Sequence, residues 1–141
     1  MSDIMRPAAV ARLLDVPGLD YLLRLALASP FLISGVVKLL DFSGATAEVA
    51  GLGVQPAVPV AVAVIATELV GSALFLTRRW CWLGAGLLAG FTVVATLLAH
   101  AFWTFDGPER ARQAATFFEH VSMIGGLGMA ALLAARAVLP R

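Results

Sequence analysis

Four long apolar stretches alternate with short polar segments along the chain, at about residues 21–40, 59–77, 80–103 and 115–138. Each stretch is close to the ~20 residues that a helix needs to cross ~30 Å of hydrocarbon. In lipid each segment must satisfy its own backbone hydrogen bonds, so helices are expected. The pattern predicts an all-α integral membrane protein, with a four-helix transmembrane bundle over residues 20–139.

The segments outside the four spans differ in character. Residues 41–55 are mildly apolar and contain three glycines, which predicts a short interfacial helix or re-entrant segment after the first span. Residues 1–19 predict a cytoplasmic segment that lies along the membrane as a short amphipathic helix. A cleaved signal peptide is the alternative, but Arg24 interrupts the apolar run and no clear Ala-x-Ala site follows. The stretch TFDGPERARQ, residues 104–113, is predicted to be an outward-facing loop.

Composition strengthens the membrane interpretation. Of 141 residues, 60% are hydrophobic and 13% are charged, about half the ~25% charged residues of an average soluble domain. The mean hydropathy is +0.91. The formal net charge of +1 gives no reason to expect nucleic acid. Cys81 is the sole cysteine, so a redox role would depend on a cofactor or on the thiols of another protein.

The charges between the spans predict an orientation. One side of the predicted membrane has seven basic residues, namely Arg6, Arg12, Arg24, Arg78, Arg79, Arg136 and Arg141. The other side has three, which are accompanied by four acidic residues: Lys38, Arg110 and Arg112, with Asp41, Glu48, Asp106 and Glu109. The positive-inside rule predicts a multi-pass protein of a bacterial-type cytoplasmic (inner) membrane with both termini in the cytoplasm.

Small residues predict where the spans meet, because helices in lipid associate through close packing at such positions. The expected packing positions are Gly35, Gly71, Gly86, Gly90, Gly125 and Gly126. Packing within the bundle is one interpretation. Dimerisation, or docking of a partner subunit on one of these faces, is the alternative. Pro30 lacks a backbone donor and predicts a kink in the first span.

Ionisable residues inside the spans are costly and are expected to face inward. Four of them are predicted to converge near the outer surface, with Ser34 one turn below the first: Lys38, His100, Glu119 and His120. We expect Glu119 to pair with Lys38 or Arg112, and His120 to face His100 or the lipid headgroups.

Glu68 is predicted to lie near the middle of the second span, apart from the outer cluster. Arg24 is the only cation expected to reach toward it, and over a long distance.

Three interpretations of the outer cluster remain open. It could be an ion-pair network that fixes helix register, a quinone-head or proton-relay site, or a metal site formed by His100, His120 and Glu119. The metal pattern is weak because no two of these ligands have i, i+3 or i, i+4 spacing. The sequence contains no intrinsic haem or flavin motif and no nucleophile–base arrangement, so no catalytic residue is assigned.

The chain resembles the DoxX family of small four-helix membrane proteins over about residues 20–135. The resemblance is carried by RLALASPFLISGVVKLLDF in the first span, ATELVGSALFL in the second, LLAHAFW in the third and FFEHVSMIGG in the fourth. The residues that match family motifs are Arg24, Ser34, Gly35, Lys38, Glu68, Gly71, His100, Trp103 and Gly126. Many members have Lys-Asn where this chain has Glu119-His120, so a role based on that cationic version does not transfer.

The resemblance implies a four-helix bundle and a link to redox chemistry, because relatives include a subunit of an archaeal thiosulfate:quinone oxidoreductase. The expected function is an auxiliary or quinone-linked subunit of a membrane oxidoreductase, with other membrane or redox subunits as partners. The cofactor is left unassigned, and quinone is one candidate for it. A non-catalytic scaffold or assembly subunit is one alternative. A small metal-handling or transport protein is the other.

Overall fold

The computed structural model describes residues 7–138, which form helices joined by short turns. The elements are α1 (Ala8–Leu14), α2 (Leu19–Leu40), α3 (Phe42–Gly51), α4 (Ala57–Leu76), α5 (Cys81–Ala99), a 3₁₀ turn (Phe102–Thr104) and α6 (Gly107–Val138). The predicted limits at residues 1 and 139 lie outside the described residues.

Four of these helices, α2, α4, α5 and α6, are long and apolar enough to cross a membrane. Many of their large apolar side chains point outward; Leu40, for example, is 83% exposed. Such a surface suits lipid rather than water. The all-α membrane bundle predicted from the sequence is therefore confirmed. We call the end where α2 begins and α6 finishes the termini end, and the opposite end, which contains α3, the α3 end.

Helix packing follows the order α2, α4, α5, α6, with each helix extensively in contact with the next. The main core lies between these four helices and includes Phe31, Phe75, Leu88 and Leu127. Contact between α6 and α2 is sparse. The bundle therefore has one open seam, between its first and last membrane helices.

Helix α3 lies in the segment where the sequence predicts a short helix after the first span. It packs on α4 through a second buried cluster of Ala45, Val49, Ala61 and Ile65. Asp41 caps its first turn by accepting a hydrogen bond from the Gly44 N–H at 3.0 Å. This bond stabilises the carboxylate and lowers the pKa of Asp41.

One predicted boundary near the α3 end, the start of the fourth helix, is wrong. α6 begins at Gly107 rather than near residue 115, so most of the predicted loop TFDGPERARQ is helical. Pro108 does not prevent this, because a proline in the first turn has no hydrogen bond to lose. The predicted third span, residues 80–103, agrees with the apolar segment Cys81–Thr104, which leaves the α-helical conformation after Ala99 and ends in the 3₁₀ turn.

Helix α2 continues through Pro30. Proline cannot donate to the carbonyl four residues earlier, which belongs to Ala26. The Ser29 hydroxyl donates to that carbonyl instead, at 2.7 Å. A neighbouring side chain thus satisfies the acceptor that the proline leaves free.

The amino-terminal segment contains the short helix α1, where the sequence predicts an amphipathic helix. Its apolar residues Val10, Leu13 and Leu14 are exposed in the chain by itself. That exposure fits a helix lying on a membrane surface, a placement that stays a prediction.

Candidate functional site: polar groups inside the bundle

An ion pair joins α2 to α4 inside the bundle. Glu68 is 2% exposed, and its Oε1 accepts a hydrogen bond from the Ser34 hydroxyl at 2.9 Å. The Lys38 ammonium donates to that hydroxyl at 2.6 Å and lies 3.6 Å from the same carboxylate oxygen. Ser34 and Lys38 are one turn apart, so a single face of α2 presents both groups to Glu68.

Lys38 also connects this pair to α3. Its ammonium lies 3.8 Å from Glu48 Oε2, a carboxylate that is more than half exposed. Lys38 therefore lies between one buried and one exposed carboxylate. The prediction that Arg24 is the only cation able to reach toward Glu68 is wrong, because the long side chain of Lys38 reaches Glu68 from α2.

Two buried polar atoms on α4 have no hydrogen-bond partner among the described residues: Glu68 Oε2 and Ser72 Oγ. The two residues are one turn apart on the same face. Buried polar atoms in folded proteins are normally paired. The carboxylate is thus held from one side only, by Ser34 and Lys38, and depends strongly on them.

Arg24 lies near the termini end, where it binds the end of α4. Its guanidinium donates to the carbonyl oxygens of Phe75 at 3.5 Å and Leu76 at 3.2 Å. It also pairs with Asp20 Oδ2 at 3.1 Å. The last carbonyls of a helix are the negative end of its dipole, so a buried cation there is well placed. Arg24 caps α4 and joins it to α2.

His100 and His120 form the second polar group, near the α3 end. Their ring centroids are 5.1 Å apart, with an interplanar angle of 74°. His100 follows the last residue of α5, and His120 lies on α6, the helix that packs most closely on α5. Of the alternatives open for His120, the structure selects His100.

Each imidazole is anchored through its Nδ1. His120 Nδ1 is 2.7 Å from the Thr96 hydroxyl, and His100 Nδ1 is 2.7 Å from Gln113 Oε1. Gln113 donates in turn to Glu109 at 2.6 Å. Hydrogen bonds therefore lead from His100 to a carboxylate at the start of α6 that also pairs with Arg112.

These bonds assign the His100 proton. A carboxylate only accepts, so Gln113 must direct its amide N–H groups at Glu109 and its oxygen at His100. His100 Nδ1 is then the donor. In the neutral ring the remaining nitrogen, Nε2, carries the lone pair and can accept a proton from a ligand.

Aromatic side chains cluster at the α3 end, on the chain segments that adjoin the two histidines in sequence. Phe102, in the 3₁₀ turn, is 5.2 Å from Trp103 and 5.3 Å from Phe117, measured between ring centroids. Trp103 and Phe117 are 5.9 Å apart. The rings meet at steep angles, an arrangement that aromatic pairs favour. The chain segments on both sides of the histidines are therefore rich in flat apolar surface.

Glu119 does not join this site. It is exposed, and the expected partners bind elsewhere: Arg112 to Glu109, and Lys38 to Glu68 and Glu48. The expected pairing of Glu119 with Lys38 or Arg112 is therefore wrong, as is the convergence of all four outer ionisable groups. Within residues 7–138, no group of three or more His, Cys, Asp or Glu side chains is placed to hold a metal ion.

The predicted packing glycines divide into two sets. A Cβ at Gly35, Gly71 or Gly126 would contact a leucine of another helix, so these glycines lie at helix contacts. A Cβ at Gly86, Gly90 or Gly125 would meet nothing within 4 Å. The prediction that these three glycines pack within the bundle is therefore wrong.

Several residues of the site were not predicted from the sequence. Thr96 and Gln113 anchor the histidines, Asp20 anchors Arg24, and Gly84 lies against the α4 backbone at Phe75. One signal was available: Thr92 and Thr96 are the hydroxyl residues of an otherwise apolar α5, spaced four apart on one helix face. The others have no distinctive pattern in the sequence.

Fold and polar groups together define a class, the multi-pass α-helical membrane proteins with charged and imidazole side chains inside the bundle. The DoxX family model matches residues 19–101, which extend from the start of α2 past His100. The chain belongs to the DoxX family. No curated protein and no solved structure matches it. His120 lies beyond the matched residues.

Proposed function

We propose that this DoxX-family protein is an auxiliary, quinone-linked subunit of a membrane oxidoreductase, and that the His100–His120 pair binds the quinone head. The proposal includes its placement in a bacterial-type cytoplasmic membrane with both termini in the cytoplasm. The supporting observation is the pair of imidazoles at 5.1 Å, each anchored through Nδ1.

The residues of the pair suit such a ligand. A quinone head supplies two-electron, two-proton chemistry, and it is flat and apolar apart from its oxygens. The Nε2 lone pair of His100 would accept a hydrogen bond from a hydroxyl of the reduced head. The neighbouring rings of Phe102, Trp103 and Phe117 offer apolar surface to the ring system.

The short distance between the two imidazoles disfavours a positive charge on both rings at once. Two positive charges 5.1 Å apart repel each other by about 3 kcal/mol at an effective dielectric constant of ~20. His100 Nδ1 is connected through Gln113 to the Glu109 carboxylate, so its Nε2 is the nitrogen left to contact a ligand. His120, bound to the Thr96 hydroxyl, has no carboxylate in its hydrogen-bond chain.

Electrons would need a partner protein. The chain has one cysteine, which is buried and free, and one thiol alone cannot form an internal disulfide. This supports an auxiliary role beside other redox subunits.

The test is quinone binding to the purified protein in lipid nanodiscs. A W80F/W82F variant leaves Trp103, three residues after His100 in the chain, as the sole tryptophan. We expect added ubiquinone or menaquinone to quench its fluorescence saturably. Asn reproduces the Nδ1 position of histidine and Gln approaches the Nε2 position, so H120N and H100N should lose binding and the Gln variants should retain part of it.

Glu119→Gln is the matched control, because this exposed neighbour of His120 does not join the site. E119Q should bind as the parent does. Equal quenching in parent, H100N and H120N would contradict the assignment of the histidine pair. A reporter fused at each terminus tests the orientation; a non-cytoplasmic signal from either would contradict it.

A second candidate function is a scaffold that docks a partner helix. The observation that favours it is the open groove of α4 and α5, about 720 Å³, in which a Cβ added at Gly86 or Gly90 would meet nothing within 4 Å. Replacing both glycines with leucine should abolish co-purification of a partner if this is the function. Quinone binding should be unchanged by the same substitution.

A further inference from the structure

A cavity of about 600 Å³ lies between α2 and α6 near the termini end. It occupies the seam where these two helices have little contact. Its volume is within the 300–1,000 Å³ range of small-molecule sites. The histidine pair lies near the opposite end of the bundle, so this cavity is separate from the site proposed above.

The cavity has a charged mouth made by Asp20, Arg24 and Arg78. Asp20 Oδ2 lies 3.1 Å from Arg24 and 3.4 Å from Arg78. One carboxylate thus serves two guanidinium groups, which leaves the mouth with a net charge of +1. Arg24 is buried and also bonded to the backbone, whereas the Arg78 side chain is 79% exposed. Arg78 is therefore the cation that an incoming anion would meet.

The remaining walls of the cavity are apolar. Leu27 of α2 and Met129, Leu133 and Ala134 of α6 line it. From Gly126 to Ala134 the wall follows nine residues of α6, a rise of about 12 Å at 1.5 Å per residue. The charged mouth lies where the membrane helices end, at the level of lipid headgroups, and the apolar wall extends from there towards the hydrocarbon.

We propose that this cavity binds an acidic phospholipid of the surrounding bilayer, with its phosphate at Arg78 and an acyl chain along α6. The charge of the cavity favours an acidic lipid over a zwitterionic one. The mouth is cationic, and a zwitterionic headgroup would place its own positive charge close to the arginines. Basic pockets between membrane helices recognise acidic headgroups in this way. The acyl chain of this lipid fills the seam that α2 and α6 leave open.

The test is native mass spectrometry of the full chain from nanodiscs that contain equal amounts of phosphatidylglycerol and phosphatidylcholine. We expect retained phosphatidylglycerol to exceed phosphatidylcholine. R78Q should lower its retention about fivefold, which corresponds to ~1 kcal/mol for one basic residue at a membrane surface. R79Q is the matched control, because it makes the same charge change at the adjacent residue. The Arg79 side chain lies over the Trp80 ring and does not line the cavity.

A second pair of variants tests the apolar wall without relying on charge. Met129 lines the cavity and Leu132 does not, although their exposure is similar at 59% and 55%. M129W should fill the cavity and lower lipid retention, while L132W should leave it unchanged. Equal losses in R78Q and R79Q, unchanged retention in M129W, or equal retention of both lipids would overturn the proposal. A retained quinone or polypeptide that M129W displaces would overturn it as well.

Discussion

The buried pair of Lys38 and Glu68 provides the sharpest test of the bundle interior. At 3.6 Å between Nζ and Oε1, the attraction is about 5 kcal/mol at an effective dielectric constant of ~20, before desolvation is subtracted. Removing one member of a buried pair typically costs about 3–5 kcal/mol, because the other charge remains buried and unpaired. The two members should nevertheless respond unequally.

Lys38→Met should cost about 3–5 kcal/mol, because Glu68 then has the Ser34 hydroxyl as its remaining partner and already has one unpaired oxygen. Glu68→Leu should cost less, about 2 kcal/mol, the scale of a hydrogen bond to a charged group. Lys38 then still has Glu48 at 3.8 Å. The cost of K38M should shrink as pH falls, because a protonated carboxyl leaves no charge unpaired.

The free energy of unfolding, measured by denaturant titration in mixed micelles, should therefore fall most in K38M and less in E68L. Glu48→Leu is the control and should cost at most ~1 kcal/mol, because the Glu48 carboxylate is largely exposed. The double variant K38M/E68L leaves no buried charge behind and should lie within ~1 kcal/mol of the parent. Equal losses in E68L and E48L, or a double variant as unstable as the sum of its parts, would refute the reasoning.

Three further predictions concern helix contacts. Gly84→Ala should destabilise the protein by about 1–3 kcal/mol, because its Cβ would overlap the α4 backbone. Gly86→Ala should be neutral or stabilising, because the added Cβ has open space around it. Similar thermal unfolding of the two variants would contradict the contact between Gly84 and α4. Arg24→Lys should not restore the stability lost in Arg24→Leu, because an ammonium cannot bond the α4 carbonyls and Asp20 together; recovery to parental stability in a denaturant titration would exclude this role. Asp41→Ala should weaken α3, as hydrogen exchange would show. The folded pKa of Asp41 is lowered, so the stability that its carboxylate contributes should be present above the unfolded pKa and lost as pH falls through the folded pKa. The same exchange rates in parent and variant at neutral pH would contradict this capping role.

The sequence predicted the architecture well because membrane helices are specified by apolar length, which can be read directly. The early start of α6 was missed because Gly107 and Pro108 resemble a loop. Both residues suit a helix start, where a glycine at φ +60 and a proline without a donor lose nothing.

The partners of the charged residues were harder to predict, because sequence position gives depth along a helix and not direction around it. Glu119 and His120 illustrate this. Adjacent residues diverge by about 100°, so only one of them could face α5, and nothing in the apolar surroundings indicated which.

The same limitation explains the glycines. Gly84 and Gly86 lie two positions apart in a helix that is apolar on all sides. In water a polar stripe would mark the outward face, but in lipid both faces have the same chemistry. The contact made by Gly84 and the open position of Gly86 therefore could not be distinguished in the sequence.

The linear packing order of the bundle bears on how the chain assembles during synthesis. α2, α4 and α5 make their contacts with one another without help from α6, which packs mainly on α5 and on the 3₁₀ turn that follows α5. A nascent chain emerges from its amino terminus first, so these three helices can complete their interfaces before α6 has left the ribosome. α6 then needs to find one neighbour rather than close a ring. Late insertion of the last helix is therefore compatible with a core that has already formed.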